Sequence, residues 1–363
     1  MSGEAIEDRS DDVRRLRRWG SLLEAPLRAL DVRKVVLAVL GLALLWGGWA
    51  VLDAMFPGSR DVSPPGPVSW PLGLEGRTVR GWLEAASIVA DPLRLVFEPL
   101  SAALRLGGGS ARFVHAVLAF VWSLTVWGIF GCAIARVAAG QAVAGRAIGA
   151  WPALRFAARR AGTLLAAPLA PAAGIVLLAL ACAVFGLLYQ IPGTAGRTAA
   201  GALAFLPLLA GLGMAFLLAL LATAWPLMVV SIAAEAEDAF DALSRATSYV
   251  LHRPAAYALA VGGAWGLGTI GFVAVVVLAR LALRLAAWGL ALGAPDGLIA
   301  GYYERPLPAG PIALDQRLHA GWIALVALSA YGWAFAYVWT AAMMIYVPLR
   351  RDADGTALER LAP

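Results

Sequence analysis

Six long apolar stretches alternate with polar segments along this chain. They fall at about residues 35–56, 113–135, 162–189, 201–232, 256–278 and 320–347. Each exceeds the roughly 18 residues that read as a bilayer span. In lipid every backbone amide needs a partner inside its own segment, so each stretch is predicted to be an α-helix. The fold class that follows is all-α: an integral membrane bundle of six transmembrane helices with interfacial amphipathic helices. Residues 1–34 form a basic tail and an interfacial helix, 35–348 the membrane domain, and 349–363 a second tail.

The polar segments carry their own periodicity. Between Ala233 and Pro254, the residues Phe240, Leu243, Thr247 and Val250 recur at three- and four-residue steps, which predicts an amphipathic helix on a membrane surface. Val13, Leu16, Leu23, Leu27 and Leu30 make a similar stripe, with Arg14, Arg15, Arg17 and Arg18 off it. The outer loop 57–112 starts irregularly over Pro57–Pro71. Asp91-Pro92 then reads as an N-cap with proline at the first helical position. The stripe Leu93, Val96, Phe97, Leu100 and Leu104 follows, kinked at Pro99 and ended by Gly107–Gly109. This helix is expected on the outer leaflet or across the mouth of the bundle.

Ala150-Trp151-Pro152-Ala153-Leu154 before the third span and Ala239-Phe240-Asp241-Ala242-Leu243 before the fifth share the pattern alanine, aromatic, any residue, alanine, leucine. Ala25–Leu30 is a looser echo. The chain is thus read as three units, each an amphipathic helix followed by a two-span hairpin.

Composition narrows the class. The chain is 61% apolar and only 14% charged, with a mean hydropathy of +0.76, against about a quarter charged in soluble domains. Of 29 basic residues only Lys34 is lysine, a bias of GC-rich bacterial coding rather than of guanidinium chemistry. No basic patch interleaved with aromatics points to nucleic acid. With the N-terminus inside, the inner segments hold 18 of the basic residues and the outer segments 9. The positive-inside rule therefore predicts a cell (inner) membrane protein with both termini cytoplasmic. Anionic lipids of the inner leaflet and other membrane proteins are the expected partners.

Candidate chemistry is sparse. Cys132 and Cys182 differ in predicted depth by roughly 20 Å, too far for a disulfide. His115, His252 and His319 stand at span ends. Arg280 and Arg284 follow the fifth span and are expected to snorkel to the interface beside Trp288. Pro168, Pro171, Pro207 and Pro226 read as helix irregularities. Gly262 and Gly266 have the spacing of close helix packing. Glu235, Glu237, Asp238 and Asp241 form one acidic cluster, with Arg245 and Arg253 on the same segment. The segment 136–161 carries Arg155, Arg159 and Arg160 and no acid, so at least one contact between these two sets is expected. No catalytic, cofactor-binding or metal-binding residue is assigned.

The segment Glu235 to Pro254, E-x-x-D-A-F-D-A-L-S-R-x-x-S-Y-V-x-x-R-P, resembles one found in uncharacterised multi-span proteins of planctomycete-type bacteria. The helix-then-hairpin units are similar to the membrane domain attached to some bacterial glycerophosphodiesterases, without the catalytic domain. The resemblance implies a bacterial inner-membrane protein and transfers no active site. The function expected is that of a non-enzymatic membrane organiser or accessory factor. The alternative is a permease or channel for a small solute or lipid, which requires a polar cavity shared by several spans.

Overall fold

The structure is a computed structural model and describes residues 20–58, 78–104, 109–143, 145–295, 297–303 and 313–354. The expected tail Met1–Asp12, the Arg14–Arg18 cluster, most of Pro57–Pro71, and Gly107 and Gly108 lie outside them. The described chain is all-α. Its helices are α1 (Ala25–Arg28), α2 (Val32–Met55), α3 (Val79–Ala103), α4 (Gly109–Ala142), α5 (Ala150–Arg159), α6 (Ala161–Gly186), α7 (Thr194–Ala202), α8 (Phe205–Glu235), α9 (Ala239–His252), α10 (Pro254–Ala291), α11 (Leu298–Tyr303) and α12 (Leu314–Asp354). Six of them, α2, α4, α6, α8, α10 and α12, are long and apolar enough to cross a membrane. The chain is a multi-pass membrane protein.

Alternating spans bring residues 20–31, 145–160, 236–253 and 350–354 to one side, called here the terminus face. Contacts across it agree: Arg33 Nη1 donates to the Ile148 carbonyl at 2.9 Å and Arg160 Nη1 to the Ala236 carbonyl at 2.6 Å. Asp31 starts α2 as its N-cap. It accepts from the Arg33 backbone N–H at 3.0 Å and from Gln141 Nε2 of α4 at 2.6 Å. The Arg33 side-chain bond lowers the Asp31 pKa, and burial opposes it. A carboxylate lowered in the folded state adds stability above its unfolded value of about 3.9, and that stability is lost as pH falls through the folded value. Asp31→Ala is expected to cost about 1–2 kcal/mol at neutral pH. Its unfolding curve should also be flatter than the parent's in acid; equal acid slopes would show that Asp31 is not a determinant.

A short helix precedes the first, third and fifth spans, in the order expected of three units. The match extends to individual positions. Ala29, Ala153 and Ala242 are 0–1% exposed, while the residues two before them, Leu27, Trp151 and Phe240, are 72%, 72% and 76% exposed. In each unit the small side chain seats the helix on the bundle and the large apolar one points away. That placement suits a surface where an apolar group meets lipid, and it sets the depth at which the next span enters.

The core gathers where α2, α4 and α12 meet the terminus-face halves of α8 and α10. It is built of aromatics: Trp127 stacks on Phe335 at 4.4 Å between ring centroids, and Trp225 meets Trp339 edge-on at 5.3 Å. All four of these side chains are fully buried. The remote half of the α6–α8 hairpin does not join the core; Leu177, Leu180, Leu208, Leu212 and Phe216 are exposed. In water such a surface would be costly, but hydrocarbon imposes no such penalty.

Three expectations change. The loop helix is α3, and it begins at Thr78, whose side chain accepts from the Gly81 N–H, rather than at Asp91. Asp91 and Pro92 lie inside it and are buried. α3 does not lie across the mouth: Trp265 of α10 donates to the Ala86 carbonyl, Tyr331 of α12 to Asp91, and Phe97 packs edge-on against Trp225 of α8. These partners sit in the middle reaches of their helices, so α3 is inserted among the spans. Its stripe of Leu93, Val96 and Phe97 was legible, but the depth it reaches depends on which spans leave room. Second, residues 279–291 do not form a separate segment but continue α10 to 38 residues, about 57 Å long. Trp288 is exposed at its far end.

Third, Gly262 and Gly266 are not the packing glycines. A Cβ added at either would meet nothing within 4 Å. The close approach is at Gly268, where a Cβ would stand 2.4 Å from the Tyr337 ring and 2.8 Å from Val89, and at Gly271, 2.7 Å from Trp333. Spacing alone selected the pair four apart. The helix turns its other face to α12.

Candidate functional site

The densest polar arrangement forms around the end of α8 on the terminus face. Glu235, the last residue of α8, accepts from Arg350 Nε at 2.6 Å and Nη2 at 2.9 Å, from Arg245 Nη1 at 3.0 Å, and from the Tyr346 hydroxyl. Tyr346 and Arg350 are one turn apart on α12, and Arg245 comes from α9. One carboxylate thus ties three helices together. Arg245 Nη2 also lies 2.8 Å from Glu237 Oε1. Burial raises the Glu237 pKa, and Arg245 opposes the rise. Burial would lower the Arg245 guanidinium, but Glu237 and Glu235 with Tyr346 raise it instead.

The chain leaves α8 through Ala236, a left-handed residue at φ 58°. Such a turn frees the last helical carbonyls, and two arginines take them. Arg136 of α4 donates to the Ala233 carbonyl at 2.8 Å, and Arg160 donates to that of Ala236. Both guanidiniums lie over the Phe156 ring, at 4.2 and 5.1 Å from its centre. Cations at this end complement the negative pole of the helix dipole.

Glu235, Glu237 and Arg245, which the sequence places on one segment, are joined here by ion pairs. The sequence did not foresee the rest of the arrangement. Asp238 instead caps α9, accepting from the Asp241 N–H at 2.9 Å, and both are exposed. Arg253 lies 3.9 Å from Asp352 of α12. Among the described residues no ion pair joins Glu235, Glu237, Asp238 or Asp241 to Arg155, Arg159 or Arg160. The acceptor positions of Glu235 are taken by α12 and α9, so Arg160 meets the backbone instead. Arg136, Tyr346 and Arg350 were missed. Their signal was a polar group at a span end facing its neighbours, a pattern that span ends carry in any case.

Arg155 and Arg159 stay exposed on α5. With Trp151, Phe156, Arg160 and Thr163 they line an open cleft of about 610 Å³. A second buried group was misread from sequence as a cap: Asp91, which accepts from the Tyr331 hydroxyl at 2.9 Å and lies 3.7 Å from Arg94. Lys34 is fully buried and donates to the Arg28 carbonyl at 3.1 Å and to Thr340 at 3.2 Å. His115 is buried against Asp53 rather than exposed at an interface, with Nε2 3.1 Å from Oδ1. Cys132 and Cys182 are both free thiols. Among the described residues no three side chains of His, Cys, Asp or Glu come together as a metal site.

Fold and site together define a multi-pass α-helical membrane protein with a polar knot and a basic cleft on one face. No family model matches the chain, and neither does any curated protein or solved structure.

Proposed function

We propose that this protein is a non-enzymatic organiser or accessory factor of the bacterial inner membrane, with both termini cytoplasmic, that engages anionic lipid headgroups through α5. The observation that carries the reading is the cleft of Trp151, Arg155 and Arg159: two exposed guanidiniums with no acid partner among the described residues, beside an exposed indole, at the depth where a span begins. An anionic leaflet attracts each such arginine by about 1 kcal/mol. The closed aromatic core where the spans meet favours a scaffold over a conduit. The similarity to a membrane domain that is not the catalytic part of its enzymes points the same way.

Arg155→Gln/Arg159→Gln should therefore fold normally and lose about 2 kcal/mol of preference for anionic over zwitterionic nanodisc lipid, roughly thirtyfold. Lipid counted by mass spectrometry after exchange measures it. An unchanged preference would remove α5 as the contact.

One observation favours a second reading, a permease. Asp91 is buried among the spans beside Pro92, and a carboxylate at membrane depth is a functional flag. Proton flux across proteoliposomes, present in the parent and lost in Asp91→Asn, would establish it.

A further inference from the structure

Two cavities lie on either side of the elbow between α9 and α10. The first lies between α3, α8, α10 and α12, has a volume of about 260 Å³, and is lined almost wholly by apolar side chains. Ala264, Ala341 and Ala342 leave its space open, and Val261 and Trp265 stand at its exposed rim. Two hydroxyl tethers hold its walls apart at a set width. Tyr257 donates to the Thr223 carbonyl of α8 at 2.6 Å, just before Pro226, and Tyr337 of α12 donates to the Ala264 carbonyl. The second cavity, about 410 Å³, opens on the terminus face and is lined by Ser248, Tyr249, His252, Arg253, Leu349 and Ala353.

Helical periodicity sets these two cavities in line along the same helix faces. On α12, Val338, Ala342, Ile345, Leu349 and Ala353 succeed one another at three- and four-residue steps, which is a single face. The first three line the apolar cavity and the last two the polar one. On the opposite wall Arg253, Tyr257, Val261 and Trp265 follow at steps of four and divide the same way. The junction falls one turn, about 5.4 Å, below the arginine. In the polar cavity His252 Nδ1 lies 2.9 Å from the Ser248 carbonyl, which can only accept. The Ser248 hydroxyl lies 3.2 Å from the same nitrogen, so Ser248 engages Nδ1, and Nε2 is left for another partner.

We infer that this seat holds one glycerophospholipid of the bilayer, with its phosphate at Arg253 and His252 and one acyl chain along the groove to Trp265. A basic, hydrogen-bonding basin that leads within a turn into a dry apolar slot matches the two ends of such a molecule. Among the described residues, the ion pair that Arg253 has to give up is the long 3.9 Å contact with Asp352. The seat is built on other helices than the α5 cleft and does not rest on the function proposed above.

The test uses the full chain in mild detergent. Native mass spectrometry should find one phospholipid that persists through delipidation of the parent, and none on Ala342→Trp, whose indole fills the slot. Val261→Trp blocks the rim from an exposed position and carries the test if Ala342→Trp does not fold, as judged by thermal unfolding. Arg253→Gln should lower retention of phospholipid several-fold while leaving diacylglycerol, which lacks the phosphate, unchanged. A phospholipid with a diazirine on its acyl chain should label Tyr257–Trp265 and Val338–Ile345. The inference is overturned if a folded groove variant retains the parent's lipid, or if label spreads evenly over Leu177 and Leu212 of the α6–α8 hairpin. It is also overturned if filling the slot splits an oligomer with lipid unchanged, which would make the occupant a second copy.

Discussion

Glu235→Ala is expected to destabilise the bundle by about 3–5 kcal/mol, the range for removing one partner of a buried ion pair. The carboxylate, Arg350 and Arg245 are 15%, 14% and 30% exposed, and Tyr346 is fully buried. The substitution removes the carboxylate that two guanidiniums and a phenol share at the end of α8, while Arg245 keeps Glu237. An unpaired buried charge costs more than the pair contributes, because desolvation is no longer offset. Refilling both sides should therefore recover stability: Glu235→Leu/Arg350→Met should unfold close to the parent, although each single change does not. Unfolding in a detergent titration measures all three proteins. If Glu235→Ala unfolds within 1 kcal/mol of the parent, the knot is solvated and does not hold α8, α9 and α12 together. Charge reversal at Asp238 should by contrast cost only about 1 kcal/mol, the loss of the α9 N-cap, and reversal at Asp241 little, since both are exposed and neither meets Arg159 or Arg160.

Gly268→Leu and Gly266→Leu should behave oppositely although they are two residues apart. At Gly268 the added atoms run into the buried Tyr337 ring and into Val89 of α3, so α10 must move off α12 or expel α3. Overpacking of this kind costs about 1–3 kcal/mol, and here it strikes two neighbouring helices. Gly266 faces open space. Leucine there adds helix propensity, worth up to about 1 kcal/mol over glycine in a helix interior. Thermal midpoints in one detergent compare the pair; equal losses would mean that α10 packs through a face other than the one described.

The glycine pair shows where one-dimensional reading ends. Spacing identifies which residues share a stripe, and the stripe at Gly262 and Gly266 is real. Which stripe faces α12 is set by the rotation of the helix, and that rotation is an outcome of packing all six spans at once. Asp91-Pro92 is similar. Both residues suit a helix start, and proline after an N-cap candidate is a sound local rule. The helix begins instead at Thr78, because the neighbouring spans supply a cavity into which all of Val79–Ala103 can pack, and Tyr331 supplies the donor that makes a buried Asp91 tolerable.

The elements themselves were readable without coordinates. A bilayer demands long apolar helices whose amides are bonded internally, so hydropathy locates the six spans, and three-residue to four-residue periodicity locates the helices before the third and fifth. The repeat was readable too, since alanine and a large apolar residue two positions apart serve the same contact in each unit. Partner choice belonged to the tertiary structure. The sequence offered Glu235 the arginines Arg155, Arg159 and Arg160 across the face, and only the arrival of the α12 end beside α8 decided for Arg350 instead. Polar contacts are short-ranged and saturable: once Tyr346, Arg350 and Arg245 occupy the carboxylate, Arg160 takes the carbonyl that Ala236 leaves free. No pattern along the chain encodes that competition, because its terms are distances between helices brought together only by the fold.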